Sequence, residues 1–168
     1  MSVIKLALPK GSLEKATYQF VESAGYIIKG QTRTYRPVIN DNDISIKILR
    51  PQEIPKNIQE GNQDIGISGE DWIRENKSDV VNLLNLEYGK VRIVIALPKS
   101  NKNKNFSAVL SNYIKNKKPL RISTEYLNIA KEYLLDNEVY KKQFGKKSPL
   151  ITTPWFNSGT NKKVNIMF

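Results

Sequence analysis

The sequence predicts an α/β fold, and three observations predict it. Short apolar runs at residues 3–8, 44–49 and 65–67 each lead through a turn into a stretch with helical spacing. The same alternation returns at residues 120–124 and 126–136. The ending Ala96-Leu97-Pro98-Lys99-Ser100 also echoes Ala7-Leu8-Pro9-Lys10-Gly11-Ser12, which hints at two similar lobes. Repeated strand–turn–helix units of this kind gather ligands at the C-terminal ends of the strands. The expected division is a first lobe over 1–92 and a second over 93–168. The crossover falls near 88–100, and the polar run 101–105 is the linker candidate.

Taken in order, residues 3–8 read as a buried strand stopped by Pro9. Ser12 is the candidate N-cap of a helix carrying Leu13, Ala16, Phe20, Val21 and Ala24 and closed by Gly25. Lys10, at the strand-to-helix turn, is a candidate phosphate contact or an ordinary solvated lysine. Asn40-Asp41-Asn42-Asp43 is a turn cluster, after which Ile44, Ile46 and Ile48 form the apolar face of a strand. That strand delivers Arg50 just before Pro51. A guanidinium fork at a strand terminus suits planar phosphate recognition, and pairing with a nearby carboxylate such as Glu53 is the plainer alternative. Residues 51–60 read as a short helix with Ile54 and Ile58 inward and Gly61 as its stop.

The organising stretch is Asp64-Ile65-Gly66-Ile67-Ser68-Gly69-Glu70-Asp71-Trp72. A strand runs through Ile65 and Ile67 into Ser68-Gly69 and a helix from about Glu70. Gly66 and Gly69 permit close backbone approach or positive φ, and N–H groups at such a turn suit an oxyanion. A plain strand–turn–helix junction would look the same. Residues 80–86 are a further apolar segment, and residues 90–97 read as the strongest strand of the chain. A helix at about 106–116, a strand at 120–124 and a helix at 126–136 follow. The remainder reads as lysine-rich loop, a strand near 150–153, the Pro154-Trp155-Phe156 loop and a last strand at 164–168.

The 168 residues contain neither cysteine nor histidine. Disulfides, thiolate chemistry, a Ser-His-Asp triad and most zinc sites are thereby excluded. Catalysis must draw on carboxylates, Lys and Arg, backbone dipoles or a hard cation such as Mg²⁺. No run reaches the length of a membrane span, and no signal-peptide pattern opens the chain. The net charge of +11 is uneven: residues 1–84 balance 11 Lys and Arg against 11 Asp and Glu, whereas residues 85–168 carry 16 against 5. A basic half of this kind can face nucleic acid or a polyphosphate. Aromatics are not interleaved with its lysines as stacking platforms would require, so a solvated lysine surface is the preferred reading.

Leu8-Pro9-Lys10-Gly11, the run Leu49-Arg50-Pro51-Gln52-Glu53-Ile54-Pro55, Asp64-Ile65-Gly66-Ile67-Ser68-Gly69 and the run Arg121-Ile122-Ser123-Thr124-Glu125-Tyr126-Leu127-Asn128 stand in an order and spacing that resembles ATP phosphoribosyltransferase. Gly89-Lys90-Val91-Arg92 sits where that family has its hinge strand, and the Pro154-Trp155 loop resembles the family's long form. The resemblance implies a two-lobed fold like the type II periplasmic binding proteins, with ligands between the lobes. It also implies a reaction, the first of histidine biosynthesis. N1 of the ATP adenine displaces pyrophosphate from C1 of phosphoribosyl pyrophosphate, with Mg²⁺ on the pyrophosphate. Catalysis would then be mainly positioning and charge neutralisation.

Carried over by position, the resemblance makes Arg33 and Arg50 the catalytic cations. It puts Lys10 and Gly11 in the first ligand turn and lines the nucleotide side with Asp64, Ser68 and Gly69. Glu125 and Tyr126 would contribute from the second lobe. It further implies a cytoplasmic enzyme that forms a homo-oligomer when complete, with no membrane and no specific nucleic acid as partner. The family's acidic residue leading into a Thr-Gly-x-Thr loop has no counterpart, since Asn157-Ser158-Gly159-Thr160-Asn161 matches it only superficially. The chain therefore reads as a truncated catalytic region, with the second lobe and the return to the first incomplete. Two alternatives stay open, a non-catalytic nucleotide-binding relative and a basic nucleic-acid-binding protein.

Overall fold

A computed structural model describes residues 3–30, 34–97, 99, 105–116, 121–145, 150–152 and 166–167. The chain divides into two compact units, residues 1–91 and 92–168, each built on a parallel three-stranded sheet.

In the first unit, strand β1 (Ile4–Pro9) lies between β4 (Ile44–Leu49) and β5 (Ile65–Gly66), in the order β4-β1-β5. A separate antiparallel pair, β2 (Ile28–Lys29) and β3 (Val38–Ile39), sits beside it. Side chains alternate across a strand, so Leu8, Ile46 and Ile48 fall on one face. They pack there with Tyr18 and Val21 of helix α1 (Glu14–Ser23), and with Ile28 and Ile39. Helix α2 (Ile54–Gln59) covers β1 and β5 through its buried Ile54. That contact depends on Gly66: a Cβ there would lie 2.6 Å from Ile54 Cγ2 and 3.1 Å from both Ala7 Cβ and Ile58 Cδ1. The close-approach role expected of Gly66 is therefore real, and no positive φ is involved. Helix α3 (Glu70–Asn76) closes this part of the unit.

In the second unit, β6 (Arg121–Ser123) is central between β7 (Leu150–Thr152) and β8 (Ile166–Met167). Helices α4 (Phe106–Lys115), α5 (Leu127–Asp136) and α6 (Glu138–Phe144) accompany them. Val109, Leu110, Ile122, Leu134 and Tyr140 form the core. Asn105 caps α4 by accepting the Ala108 N–H at 2.8 Å. No helix among the described residues is long and apolar enough to cross a membrane.

The α/β class expected from the sequence holds, and three local expectations change. Ser12 does not cap α1: residues 11–13 form a 3₁₀ turn, and the Glu14 carboxylate accepts the Gly11 N–H at 3.0 Å instead. Residues 90–97 are not a strand, since only an isolated bridge at Ala96 is present. The apolar alternation there is used differently, with Ile95 and Leu97 packing on the second core. Among the described residues the segment forms no ladder with β6, whose two sides are held by β7 and β8. The lysine-rich stretch after residue 137 contains α6, which Asn137 caps by accepting the Val139 and Tyr140 N–H groups at 3.1 and 3.2 Å.

Residues 87–89 return to α1. Tyr88 OH hydrogen-bonds Thr17 Oγ1 at 2.8 Å, and its ring lies 5.9 Å from that of Phe20. Just before them, Val81, Leu83 and Leu84 are exposed by 82%, 73% and 70%.

Two consequences can be measured. Gly66→Ala forces overpacking beneath α2 and is expected to destabilise the first unit by roughly 1–3 kcal/mol in chemical unfolding. Tyr18 is buried with no hydrogen-bond partner for its hydroxyl, and desolvation, with Glu14 adding to it, pushes its pKa up to about 12 from 10.0. The folded state thus favours the neutral phenol. Its contribution is whole below pH 10 and is lost as pH rises toward 12. Tyr18→Phe is expected to move the alkaline unfolding midpoint upward while leaving stability at pH 7 unchanged or raised.

Candidate functional site

Because β4, β1 and β5 run parallel in one sheet, their C-terminal ends form a single edge. Lys10-Gly11 follows β1, Arg50 follows β4, and Ser68-Gly69 lies just past β5. The three turns are stitched to one another. The Lys10 N–H donates to the Leu49 carbonyl at 2.9 Å, and the Ile67 N–H donates to the Ala7 carbonyl at 3.0 Å. Ser68 Oγ donates to the Pro51 carbonyl at 2.9 Å, and Asn76 Nδ2 donates to the Gln52 carbonyl at 2.7 Å. Lys10, Gly11, Arg50, Ser68 and Gly69 are therefore brought together.

Each turn has a local cause. Gly11 takes φ +84°, and the space where a Cβ would sit is open. A left-handed residue there turns the chain out of β1 while leaving room above the sheet edge. At the β4 end, Glu53 accepts the Arg50 backbone N–H at 3.2 Å, so this carboxylate engages the main chain. The Arg50 side chain is exposed and in no ion pair among the described residues. A guanidinium so placed offers a planar pair of donors to phosphate oxygens. Gly69 is the N-cap of α3, and a Cβ on it would collide with the Asp71 carboxylate.

The sequence did not single out Tyr35. Lys10 Nζ lies 5.0 Å from the Tyr35 ring centroid and 3.5 Å from its hydroxyl. The ring holds the ammonium near the edge by a cation–π contact. The Tyr35 carbonyl also accepts the Ile48 N–H at 2.8 Å, fixing the tyrosine beside β4. No local motif marks it, because the contact spans 25 residues. Helix α3 carries Glu70 and Asp71 in its first turn, so the positive charge for an oxyanion at this edge comes from Lys10 and Arg50.

Other expected residues fall elsewhere. Asp64 precedes β5, at the opposite end of the strand from Ser68. Its Oδ2 accepts the Lys5 N–H at 2.8 Å, and its own N–H donates to the Lys5 carbonyl at 3.0 Å. It clamps β5 onto β1 and does not reach the ligand edge. Arg33 lies outside the described residues. Glu125 and Tyr126 follow β6 at the C-terminal end of the second sheet, and the Tyr126 N–H donates to Oγ1 of the buried Thr124 at 2.8 Å. Among the described residues no group of three or more Asp or Glu could hold a metal ion.

A family model described as HisG, ATP phosphoribosyltransferase, matches residues 50–146. The chain is 38% identical over 141 residues to an ATP phosphoribosyltransferase of Pelotomaculum thermopropionicum, covering 81% of this chain and 46% of the relative. It is 39% identical over 136 residues to that of Desulforudis audaxviator, covering 78% and 44%. It thus spans about half the length of the curated relatives it matches. A solved ATP phosphoribosyl transferase (HisG:HisZ) complex from Thermotoga maritima shares the fold. Its TM-score is 0.63 at 19% identity, over 98% of this chain and 72% of that one.

The Ser68 bond is testable. Ser68→Ala removes the hydroxyl that ties the β5 turn to the β4 turn. It is expected to cost about 1 kcal/mol in urea unfolding, as for an ordinary hydrogen bond.

Proposed function

The chain belongs to the ATP phosphoribosyltransferase family, and from that premise we propose that it carries the first ligand-binding edge of that enzyme's catalytic region. The proposed reaction joins ATP to phosphoribosyl pyrophosphate. Adenine N1 forms a bond to C1 of the ribose, the C1–O bond breaks, and its electron pair leaves with pyrophosphate. The products are phosphoribosyl-ATP and pyrophosphate, and the step is the first of histidine biosynthesis.

The single observation that carries the reading is the shared sheet edge, where Arg50 stands exposed with no carboxylate partner among the described residues and Lys10 is held beside Tyr35. Pyrophosphate is a stable leaving anion, so the protein needs to bind and neutralise it without protonating it. Arg50 supplies a fork for two phosphate oxygens, of the pyrophosphate and of the ATP triphosphate alike, and Lys10 supplies a point charge. By sequence position, Arg33 shares this role. Ser68 and Gly69 line the nucleotide side, Gly11 leaves room for close approach, and Glu125 and Tyr126 serve the nucleotide from the second unit. Asp64 works by holding β5, and through it the Ser68 turn, in place.

Mg²⁺ enters as part of the substrate, on the pyrophosphate. The two-unit division is compatible with a type II periplasmic-binding-protein-like arrangement. A cytoplasmic, oligomeric complete enzyme belongs to the same reading.

The test is calorimetric titration of ATP, which reads the binding edge directly. Arg50→Ala is expected to weaken ATP by roughly ten- to hundredfold, the equivalent of about 1.5–3 kcal/mol for a charge-assisted contact. Arg50→Lys should recover only part of this. Unchanged affinity in Arg50→Ala would remove the residue from the site.

A further inference from the structure

A second concavity of about 550 Å³ opens elsewhere on the first unit. Its walls are the bodies of β1 and β4, the C-terminal end of α2 and the chain entering β3. Lys5 and Lys47 come from the strands, and Arg36 comes from the approach to β3. Asn57, Asn62 and Gln63 come from α2 and the loop after it. Lys5 stands five positions before Lys10 on β1 and Lys47 three before Arg50 on β4, roughly 16 and 10 Å at strand rise. This cavity is therefore not the edge formed by Lys10, Arg50 and Ser68.

Two independent features mark it as a ligand site, one suited to an anion and the other to a hydrogen-bond donor. The first is charge. Lys5, Arg36 and Lys47 converge on it, no acidic side chain lines it, and none of the three is in an ion pair among the described residues. Two carboxylates border it through their contacts, and both are engaged: Glu60 accepts the Asn62 Nδ2 at 3.2 Å and pairs with Lys56 at 3.7 Å, and Asp64 accepts the Lys5 main-chain N–H at 2.8 Å. The second is an unmet acceptor. Gln63 is only 6% exposed, its Nε2 donates to the Asn62 carbonyl at 2.6 Å, and its Oε1 has no partner. Leaving a buried amide oxygen unpaired is costly. The α2 carbonyls at this end do not repel an anion freely, because the Asn57 carbonyl accepts the Asn62 and Gln63 N–H groups at 2.9 and 3.2 Å.

We propose that this cavity is a second anion site, which takes a small phosphomonoester bearing hydroxyl groups. The phosphate oxygens are met by Lys5, Arg36 and Lys47, and a hydroxyl hydrogen satisfies Gln63. The Nδ2 groups of Asn57 and Asn62 already donate to the Glu53 carbonyl at 2.9 Å and the Glu60 carboxylate at 3.2 Å, so these amides offer their oxygens to further hydroxyls of the ligand. The site stands apart from the nucleotide edge and does not depend on it.

The experiment is a residue-resolved NMR titration of the 168-residue chain with glycerol 3-phosphate as probe. Saturable shifts are expected at the amides of Lys47, Asn62 and Gln63. Lys47→Gln should weaken the binding roughly tenfold, as expected for one charge-assisted contact, while ATP affinity stays as in the parent chain. Gln63→Glu puts a negative charge against the phosphate and should abolish the shifts. Lys47 is half-buried and keeps part of its aliphatic stem in Lys47→Gln, so this variant tests the site even where Gln63→Glu fails to fold. Shifts confined to Gly11, Arg50 and Ser68 would overturn the proposal, as would binding insensitive to Lys47→Gln.

Discussion

Everything that gives the first unit its chemistry depends on the parallel ladder of β1. Its register to β4 runs without a break from Ile4↔Ile44 to Pro9↔Leu49, and Leu6↔Ile65 and Ala7↔Gly66 fix β5 on the other side. Parallel strands end together, so three chain segments far apart in sequence release their turns at one edge. A slip of a single residue would move Leu8, Ile46 and Ile48 out of the core and carry Arg50 away from Lys10. The hydrophobic face and the ligand edge are therefore set by the same register.

That register is protected by small groups. Ala7 and Gly66 lie side by side under α2, and the absence of a side chain at Gly66 lets Ile54 come down onto the sheet. Asp64 holds the start of β5 through both its carboxylate and its N–H. Ser68 and Asn76 then bind the segment beyond β5 to the carbonyls of Pro51 and Gln52. A pattern that can be read as a nucleotide fingerprint is thus in good part a set of fastenings, and the fastenings put Lys10 and Arg50 where an anion can meet them.

Much of this was legible in the sequence. Periodicity found β1 and β4, the helices at 106–116 and 126–136, and the central strand of the second sheet, because each has one clear apolar face. The turns after β1, β4 and β5 were legible because Pro and Gly punctuate them. What could not be read was pairing. Residues 90–97 have the alternation of a strand, yet they form only an isolated bridge at Ala96, and Ile95 and Leu97 serve as core packing without a ladder. Helix α6 was hidden by its lysines, although the Asn137 cap was a signal in plain view. Tyr35 beside Lys10, and Asp64 at the wrong end of its strand for ligand contact, follow from the three-dimensional order of strands alone.

The outward-facing Val81, Leu83 and Leu84 bear on how the molecule behaves in a test tube. An apolar surface of this kind is adhesive toward itself, while a net charge of +11 keeps copies apart. The two forces have different ranges. Repulsion between like-charged molecules fades as salt shortens the screening length, from about 30 Å at 0.01 M to about 10 Å at 0.1 M, whereas the attraction is short-ranged and is not screened. Colloidal stability of this chain is consequently an electrostatic property, greatest in dilute buffer and eroded by added salt, and purification at low ionic strength follows from three side chains that face water.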